Sequence, residues 1–412
     1  MTLLETGYDL ASPEYIKNTE HLLQDLARGT HPIARATLQG KPVYIVADVA
    51  LAKRIFEDAR NFSFAPIGLD SEQGLTEGAR AFVDEGFESR LVSADYEDYR
   101  RLRALMNNAF RRSHGEHIER IGAAAEQHLH ALLDTLDRHG AATFELDALA
   151  LCRRFWLPLI ADIIGVGALS AEELQVLATQ ARALNDGYGL QGDASAVRAL
   201  GALKTTVLGL VRKVVAANAV PAHSALGYFL SEVDTETALD LTLTFILGSI
   251  DGSSGVLALQ THLLASERAQ RERFLALDAA ARSEAMTELA AKEAPVLYMP
   301  RFAVRDLELD GVAIAAGSCL QLALHGMNSC ANPDFDIARA QPGACPRHNN
   351  ETIPFGHARH KCPGETLSRH LIPIFLHGLF SRFDCVAVRR FDKTVNPFSR
   401  TVGALIIDAQ RR

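Results

Sequence analysis

The stretch "IPFGHARHKCPGETLSRHL", residues 353–371, decides how the rest of the chain is read. One cysteine, Cys362, stands among glycines, prolines, histidines and basic residues, and an apolar, helix-like run follows it. Three roles are open to such a cysteine: a small packing residue, a metal ligand, or a reactive thiolate. A zinc set would draw on His357, His360, Cys362 and His370, but the spacing H-x2-H-x-C matches none of the common structural-zinc patterns.

The totals narrow the choice. The chain has 412 residues, 48% hydrophobic and 22% charged, enough for a sizeable core. Ala and Leu dominate, which favours helix. Net charge is −8, from 42 basic and 50 acidic residues, which argues against nucleic acid as the main partner. The six cysteines form no CxxC pair and no framework spacing, so they read as reduced thiols. The N-terminal residues lack a basic and apolar leader, and no uninterrupted apolar run reaches the roughly 18 residues of a membrane span. These features predict a soluble, cytoplasmic protein.

Along the chain, Ser12-Pro13-Glu14 marks a helix start. Residues 33–48 alternate and turn at Gly40-Lys41, the pattern of a hairpin. Residues 236–266 predict one long apolar helix with a polar, glycine-rich centre. Residues 281–297 and 364–380 predict helices, 301–325 short strands, and the chain ends in strand-like pieces. There are no repeats and no linker. The expected architecture is mainly α with small β-sheets, in one domain spanning 1–412.

Around Cys362 the spacing Phe355-Gly356-x-Ala358-x-His360-x-Cys362-x-Gly364, followed by Leu367-Ser368-Arg369, resembles the cysteine loop of the cytochrome P-450 superfamily. Only Ala358 and Ser368 depart, each small where the family has glycine or alanine. The physics suits the resemblance. A thiolate at a helix N-terminus is stabilised by the dipole and free N–H groups. Glycines let the backbone approach a flat macrocycle. A thiolate axial ligand donates electron density to haem iron. Elsewhere "YRRLRALMNNAF", 99–110, resembles the family's HxxxRxxxxxxF helix, with Arg103 and Phe110 matching and Tyr99 in place of histidine. "RFAVRDLELDGVAIAAGS", 301–318, puts Arg301 on the family's second propionate arginine, and "FDIAR", 335–339, matches its FDxxR.

The resemblance implies the P-450 fold, with haem b (iron protoporphyrin IX) between the long central helix and the cysteine-loop helix, and Cys362 as the iron's axial ligand. It implies Arg103, Arg301 and His360 at the propionates, with Tyr99 helping, and Gly248, Phe355 and Gly364 along the cofactor. The substrate-facing segments would carry Phe64, Ile67, Leu69, Phe82, Phe87, Tyr188, Phe245, Leu297, Tyr298 and Phe398.

Two departures matter. The family's Glu-x-x-Arg reads here as Glu293-Ala294-Pro295-Val296, without the arginine, so Glu293 is expected to pair with Arg339 directly. Pro295 is expected to end or kink the helix. The central helix usually carries (A/G)Gx(D/E)T, and here reads "LGSIDGSSG". The favoured register puts Gly248 and Ser249 on the small pair, Asp251 on the acid and Gly252 on the threonine. That threonine normally helps deliver protons to iron-bound oxygen. Ser253, Ser254, a substrate hydroxyl or water would have to substitute, with Asp251 handling proton traffic.

The implied activity is a haem-thiolate monooxygenase of bacterial, soluble type. It would act on a small organic molecule in specialised biosynthesis, using O2 and electrons from a ferredoxin and its reductase. The missing threonine motivates a rival, a peroxygenase, dehydratase or isomerase, and the missing arginine motivates another, a catalytically degenerate scaffold. A basic set including Arg100, Arg101, Arg347, Arg359, Lys361 and Arg369 would dock an acidic electron donor. Neutralising Arg359, Lys361 and Arg369 together is expected to slow reduction by a ferredoxin in stopped-flow measurements; unchanged kinetics would remove that surface from the docking site.

Overall fold

Ser12 does what its position predicts: its side chain accepts from the Tyr15 amide and starts helix α1 (Pro13–Arg28), behind strand β1 (Leu4–Asp9). Strands β2 (Ile33–Leu38) and β3 (Lys41–Val46) form the expected antiparallel hairpin, with Gly40 at φ +75° in its turn. Helix α2 (Val49–Glu57) and the short β4 (Phe62–Ser63) follow. Next come α3 (Tyr96–Ser113), α4 (Ile118–Asp137), β5 (Thr143–Asp147), α5 (Ala148–Ile164), α6 (Ala171–Gly187), α7 (Ala194–Ala216) and α8 (Ala225–Glu232). The central helix comprises α9 (Thr235–Ile246), a π turn (Leu247–Asp251) and α10 (Gly252–Ser266). Then come α11 (Arg268–Ala276), α12 (Ala279–Lys292), β6 (Met299–Ala303), β7 (Leu307–Leu309), β8 (Val312–Ile314), β9 (Cys319–Leu322) and α13 (Leu324–Ala331). Helix α14 (Glu365–Arg382), β10 (Phe383–Val395) and β11 (Arg400–Arg411) close the chain. This computed structural model describes all residues except 1–2, 39, 64–95, 138–141, 188–193, 332–334, 338–351, 359–360 and 396–398.

The chain divides into two compact units. The first comprises Met1–Gly74, Leu277–Cys362 and Lys393–Thr401. Its six-stranded sheet runs β1-β2-β3-β9-β6-β4, with β1/β2 and β3/β9 parallel and the other pairs antiparallel. Ile55 and Phe56 of α2, Ile33, Val46, Leu320 and Leu322 build one core of this unit. The second unit comprises Leu75–Ala276, Pro363–Asp392 and Val402–Arg412. Here Phe155 and Trp156 of α5 and Phe375 of α14 are at most 1% exposed. The buried Arg271 donates to Leu264 O (2.8 Å) and Ala265 O (2.9 Å), satisfying carbonyls at the end of α10. The stretch 235–266 is apolar and long enough to cross a membrane, yet Leu239, Phe245, Ile246 and Leu257 are at most 3% exposed inside this unit.

Helix α12 ends earlier than the sequence suggests. It stops at Lys292, and Glu293 is its C-cap, because Pro295 lacks an N–H to continue it. Glu293 is therefore outside the helix. The helical i, i+3 spacing near this end falls on Glu288 and Ala291, again without an arginine. The expected Glu293 partner, Arg339, lies outside the described residues. Within the described residues Glu293 pairs with Arg400, Nη2 to Oε2 at 2.8 Å. Arg400 is 2% exposed and also reaches Glu20 of α1 at 3.0 Å. Its Nε donates to Ala294 O (2.7 Å) and its backbone N–H to Pro295 O (2.8 Å), while Val296 forms a β-bridge with Ser399. One guanidinium thus ties α1, the exit of α12 and the C-terminal hairpin together.

The two carboxylates respond differently. Burial would raise Glu20, but the Arg400 charge and a hydrogen bond from Lys393 outweigh it and bring its pKa to about 2. Glu293 is raised by burial, against the pull of Arg400 and Lys393. A carboxyl depressed from its ordinary 4.5 to about 2 contributes stability that is present above 4.5 and lost as pH falls toward 2. Glu20→Gln should therefore flatten the loss of stability between about pH 4.5 and 2 in denaturant melts. Arg400→Ala leaves buried carboxylates without their cation and should cost about 3–5 kcal/mol of unfolding free energy.

Candidate active site

The cysteine loop is closed turn by turn within the first unit. The Ile353 amide donates to Asn328 Oδ1 at 2.6 Å, anchoring the loop to α13. Gly356 N–H bonds to Ile353 O (3.0 Å), Lys361 N–H to Ala358 O (3.1 Å) and Cys362 N–H to Phe355 O (2.7 Å). Gly356 has φ +75°, where a side chain is strained. Ala358, which replaces a family glycine, sits at φ +52° and bears that strain. Phe355 is half-buried, and its carbonyl is what fixes Cys362. His360 lies outside the described residues.

Cys362 is the exposed cysteine among the five described. Burial pushes the thiols of Cys152 and Cys319 up to about 12 and raises those of Cys330 and Cys385, so these four are inert packing groups. Two residues after Cys362, Gly364 is the N-cap of α14, without a side-chain cap; its carbonyl accepts from Ser368 N–H at 2.9 Å. The zinc alternative loses two of its ligands. His357 Nε2 is bound to Glu57 Oε1 at 2.7 Å, and His370 packs against Gly122 of α4. Among the described residues no group of three His, Cys, Asp or Glu could hold a metal ion.

Arg301 lies on β6, paired in register with Leu320 of β9. It is 2% exposed; Nη1 donates to Pro300 O at 2.7 Å and the guanidinium lies 4.6 Å from the Phe56 ring centroid. A cation buried this deeply suits a carboxylate as its counter-ion. Leu297 and Tyr298, expected to face substrate, are instead core: 0% and 2% exposed, with the Tyr298 hydroxyl bonded to that of Tyr15. The aromatic run before β6 is thus used to hold the strand.

In the second unit, Arg103 is half-buried on α3, and Tyr99 stands one helical turn before it. The Tyr99 side chain lies outside the described residues. Phe110, at the far end of α3, stacks on Phe245 of α9 at 4.1 Å, so Phe245 also serves packing. The polar centre of the long helix forms the π turn. Ser249 Oγ donates to Phe245 O at 2.6 Å, and the indole N–H of Trp156 donates to Ser249 O at 3.0 Å. A side chain built at Gly248 would meet nothing within 4 Å. Asp251 ends the π turn and Gly252 begins α10; their side-chain positions are outside the described residues. Ser253 is half-buried and Ser254 is 6% exposed. A cavity of about 230 Å³ in this unit is lined by Arg153, Thr179, Arg182, Ile250 and Ser254, among others.

Each unit alone carries groups that fit haem: an exposed thiol and a buried guanidinium in the first, open space at a helical glycine in the second. The other expected substrate-facing residues (Phe64, Ile67, Leu69, Phe82, Phe87, Tyr188 and Phe398) lie outside the described residues, as do Arg347 and Arg359. The sequence reading missed Arg400 and Trp156. Nothing in the residues around either one names its distant partner.

Residues 293–406 match the family model for cytochrome P450. The chain is similar to the cytochrome P-450 monooxygenase DoxA of Streptomyces sp. (strain C5), 24% identical over 88% of this chain and 86% of that one. It is also similar to the biotin biosynthesis cytochrome P450 of Bacillus subtilis, 25% identical over 94% of each. Among solved structures, P450BioI in complex with an acyl carrier protein ligated to hexadec-9Z-enoic acid superposes with a TM-score of 0.77 at 20% identity, covering 97% of this chain and 100% of that one. Epothilone D-bound P450epoK gives 0.79 at 19% identity, covering 99% of each.

The strain at Ala358 makes a direct test. Ala358→Gly should raise the thermal stability by roughly 1 kcal/mol, and Gly356→Ala should lower it by a similar amount, both read from thermal melts.

Proposed function

The chain belongs to the cytochrome P450 family, and from that premise we propose a soluble bacterial haem-thiolate monooxygenase that oxidises a small organic molecule in specialised biosynthesis. It is an oxidoreductase whose cofactor is haem b. The whole chain acts as one catalytic domain: it passes between the two units five times, so neither is a contiguous stretch. The cytoplasm is the proposed location, and a ferredoxin with its reductase the proposed electron source.

The observation that carries this reading is the closed loop that holds Cys362 exposed, just ahead of the α14 N-terminus. When bound, haem supplies reductive activation of O2. The chain's own residues do the rest. Cys362 supplies the thiolate, which the helix dipole and uncapped amides stabilise. The Phe355 carbonyl holds the Cys362 backbone, and Gly364 opens the helix. Arg301, Arg103 and His360 hold the propionates, with a hydrogen bond from Tyr99. Gly248 leaves room for the macrocycle. Asp251 handles proton traffic, Ser253 substitutes for the absent threonine hydroxyl, and Gly252 leaves its place open.

The absence of a threonine after Asp251 favours peroxide-driven oxidation as the second reading.

The test is the absorption spectrum of the reduced, CO-bound protein. A red-shifted Soret band should appear in the wild type and vanish in Cys362→Ser; its absence from both would overturn the proposal. Arg301→Ala should lower haem retention on gel filtration. Turnover with hydrogen peroxide, but none with O2 and a redox chain, would establish the second reading.

A further inference from the structure

The chain has a single tryptophan. Trp156 lies in α5 at 1% exposure, and its neighbour Phe155 packs against Phe375 in a tilted pair at 5.1 Å. An indole N–H is a donor with no acceptor capacity, and burial obliges it to find a partner. It finds one inside another helix: the carbonyl of Ser249, at 3.0 Å.

That carbonyl lies inside a π turn. In an unbroken α-helix it would accept from the amide four residues on. Over Leu247–Asp251 the ladder widens to i→i+5 bonds, and Ser249 stands at the midpoint. Two side chains donate to carbonyls in and beside the turn. Ser249 Oγ donates to the Phe245 carbonyl at 2.6 Å, the i−4 bond that Thr242 and Thr261 also make in this helix, and Trp156 donates to the Ser249 carbonyl from another helix. Of the two donors, Trp156 is held in the core of the second unit and Ser249 is half-buried.

A π turn holds one residue more than an α turn. Its collapse to α would rotate everything after it by about 100° relative to what precedes it. Gly248 stands before the midpoint of the turn, and Asp251, Gly252 and Ser253 at or after its end. Their angular relation is fixed only while the π turn persists.

We propose that Trp156 is a positioning residue of the active-site helix: its indole N–H locks the π turn by taking the Ser249 carbonyl, and so sets the direction in which residues 253 and 254 project relative to Gly248. The functional consequence, control of proton delivery, rests on the monooxygenase reading above. The lock itself does not.

Because Trp156 is unique, growth of a tryptophan auxotroph on 3-benzothienylalanine replaces it alone, keeping the ring shape and removing the N–H. Amide hydrogen exchange over residues 247–256 should accelerate at least tenfold, while exchange in α4 and α14 stays the same. Trp156→His, which retains a ring N–H, should restore part of the protection. In the haem-loaded protein, peroxide released per electron pair consumed should rise severalfold at unchanged haem content. Unchanged exchange at 247–256 would overturn the lock. Accelerated exchange with unchanged peroxide release would leave the lock standing and overturn its link to proton delivery. Protein that binds no haem would overturn the monooxygenase reading, with the exchange result still deciding the lock. If the analogue does not fold, the wild type decides: the one 15N-indole resonance should show an N–H that exchanges orders of magnitude more slowly than free indole, and fast exchange would overturn the proposal.

Discussion

Arg400 is a guanidinium at 2% exposure, and a charge so deeply placed is tolerated only when its partners are complete. Glu20 and Glu293 supply the charge, the Ala294 carbonyl accepts from Nε, and the Arg400 backbone N–H is taken by the Pro295 carbonyl. These partners come from α1, from the exit of α12 and from the stretch leading to β6. The first unit therefore depends on this cluster for the path by which the chain leaves α12 and enters β6. Arg301 rides on β6, three residues after the stretch is clamped again by the Tyr15–Tyr298 hydroxyl pair. The cation that meets Glu293 comes from 107 positions further along the chain.

The second unit solves a related problem with neutral groups. The polar, glycine-rich centre of a long apolar helix invites a break. The break is a single π turn, and the donors that complete it are a serine hydroxyl within the helix and an indole from α5. In both units a polar group in a sparse local setting is met by a group distant in sequence. Side-chain donors reach such positions without constraint from the local backbone ladder, so the contact leaves little trace in the nearby sequence.

Much of the fold was legible. The Ser12 cap, the hairpin around Gly40, the long interrupted helix 235–266 and the helix after Cys362 all follow from local rules: a capping oxygen, a positive φ, a hydrophobic run, a proline stop. Cys362, Gly364 and Arg301 were singled out from spacing, and the structure places Cys362 exposed, Gly364 at a helix N-cap and Arg301 buried. Leu297 and Tyr298 were misread as substrate-facing, because an apolar residue beside a site and one beneath it look alike in sequence. For Glu293 the sequence did not reveal Arg400: a carboxylate declares that it needs a cation, and its sequence neighbourhood does not say which.

The sequence by itself determined the class of the protein and singled out Cys362, Arg301 and the polar centre of the long helix. These are matters of residue type and short spacing, which the chain carries explicitly. Only the tertiary structure decided which distant groups meet them. Arg400 meets Glu293 across 107 positions, and Trp156 meets Ser249 across 93. Contacts at such separation are set by how helices and strands pack, and packing depends on the whole buried surface rather than on any stretch of it.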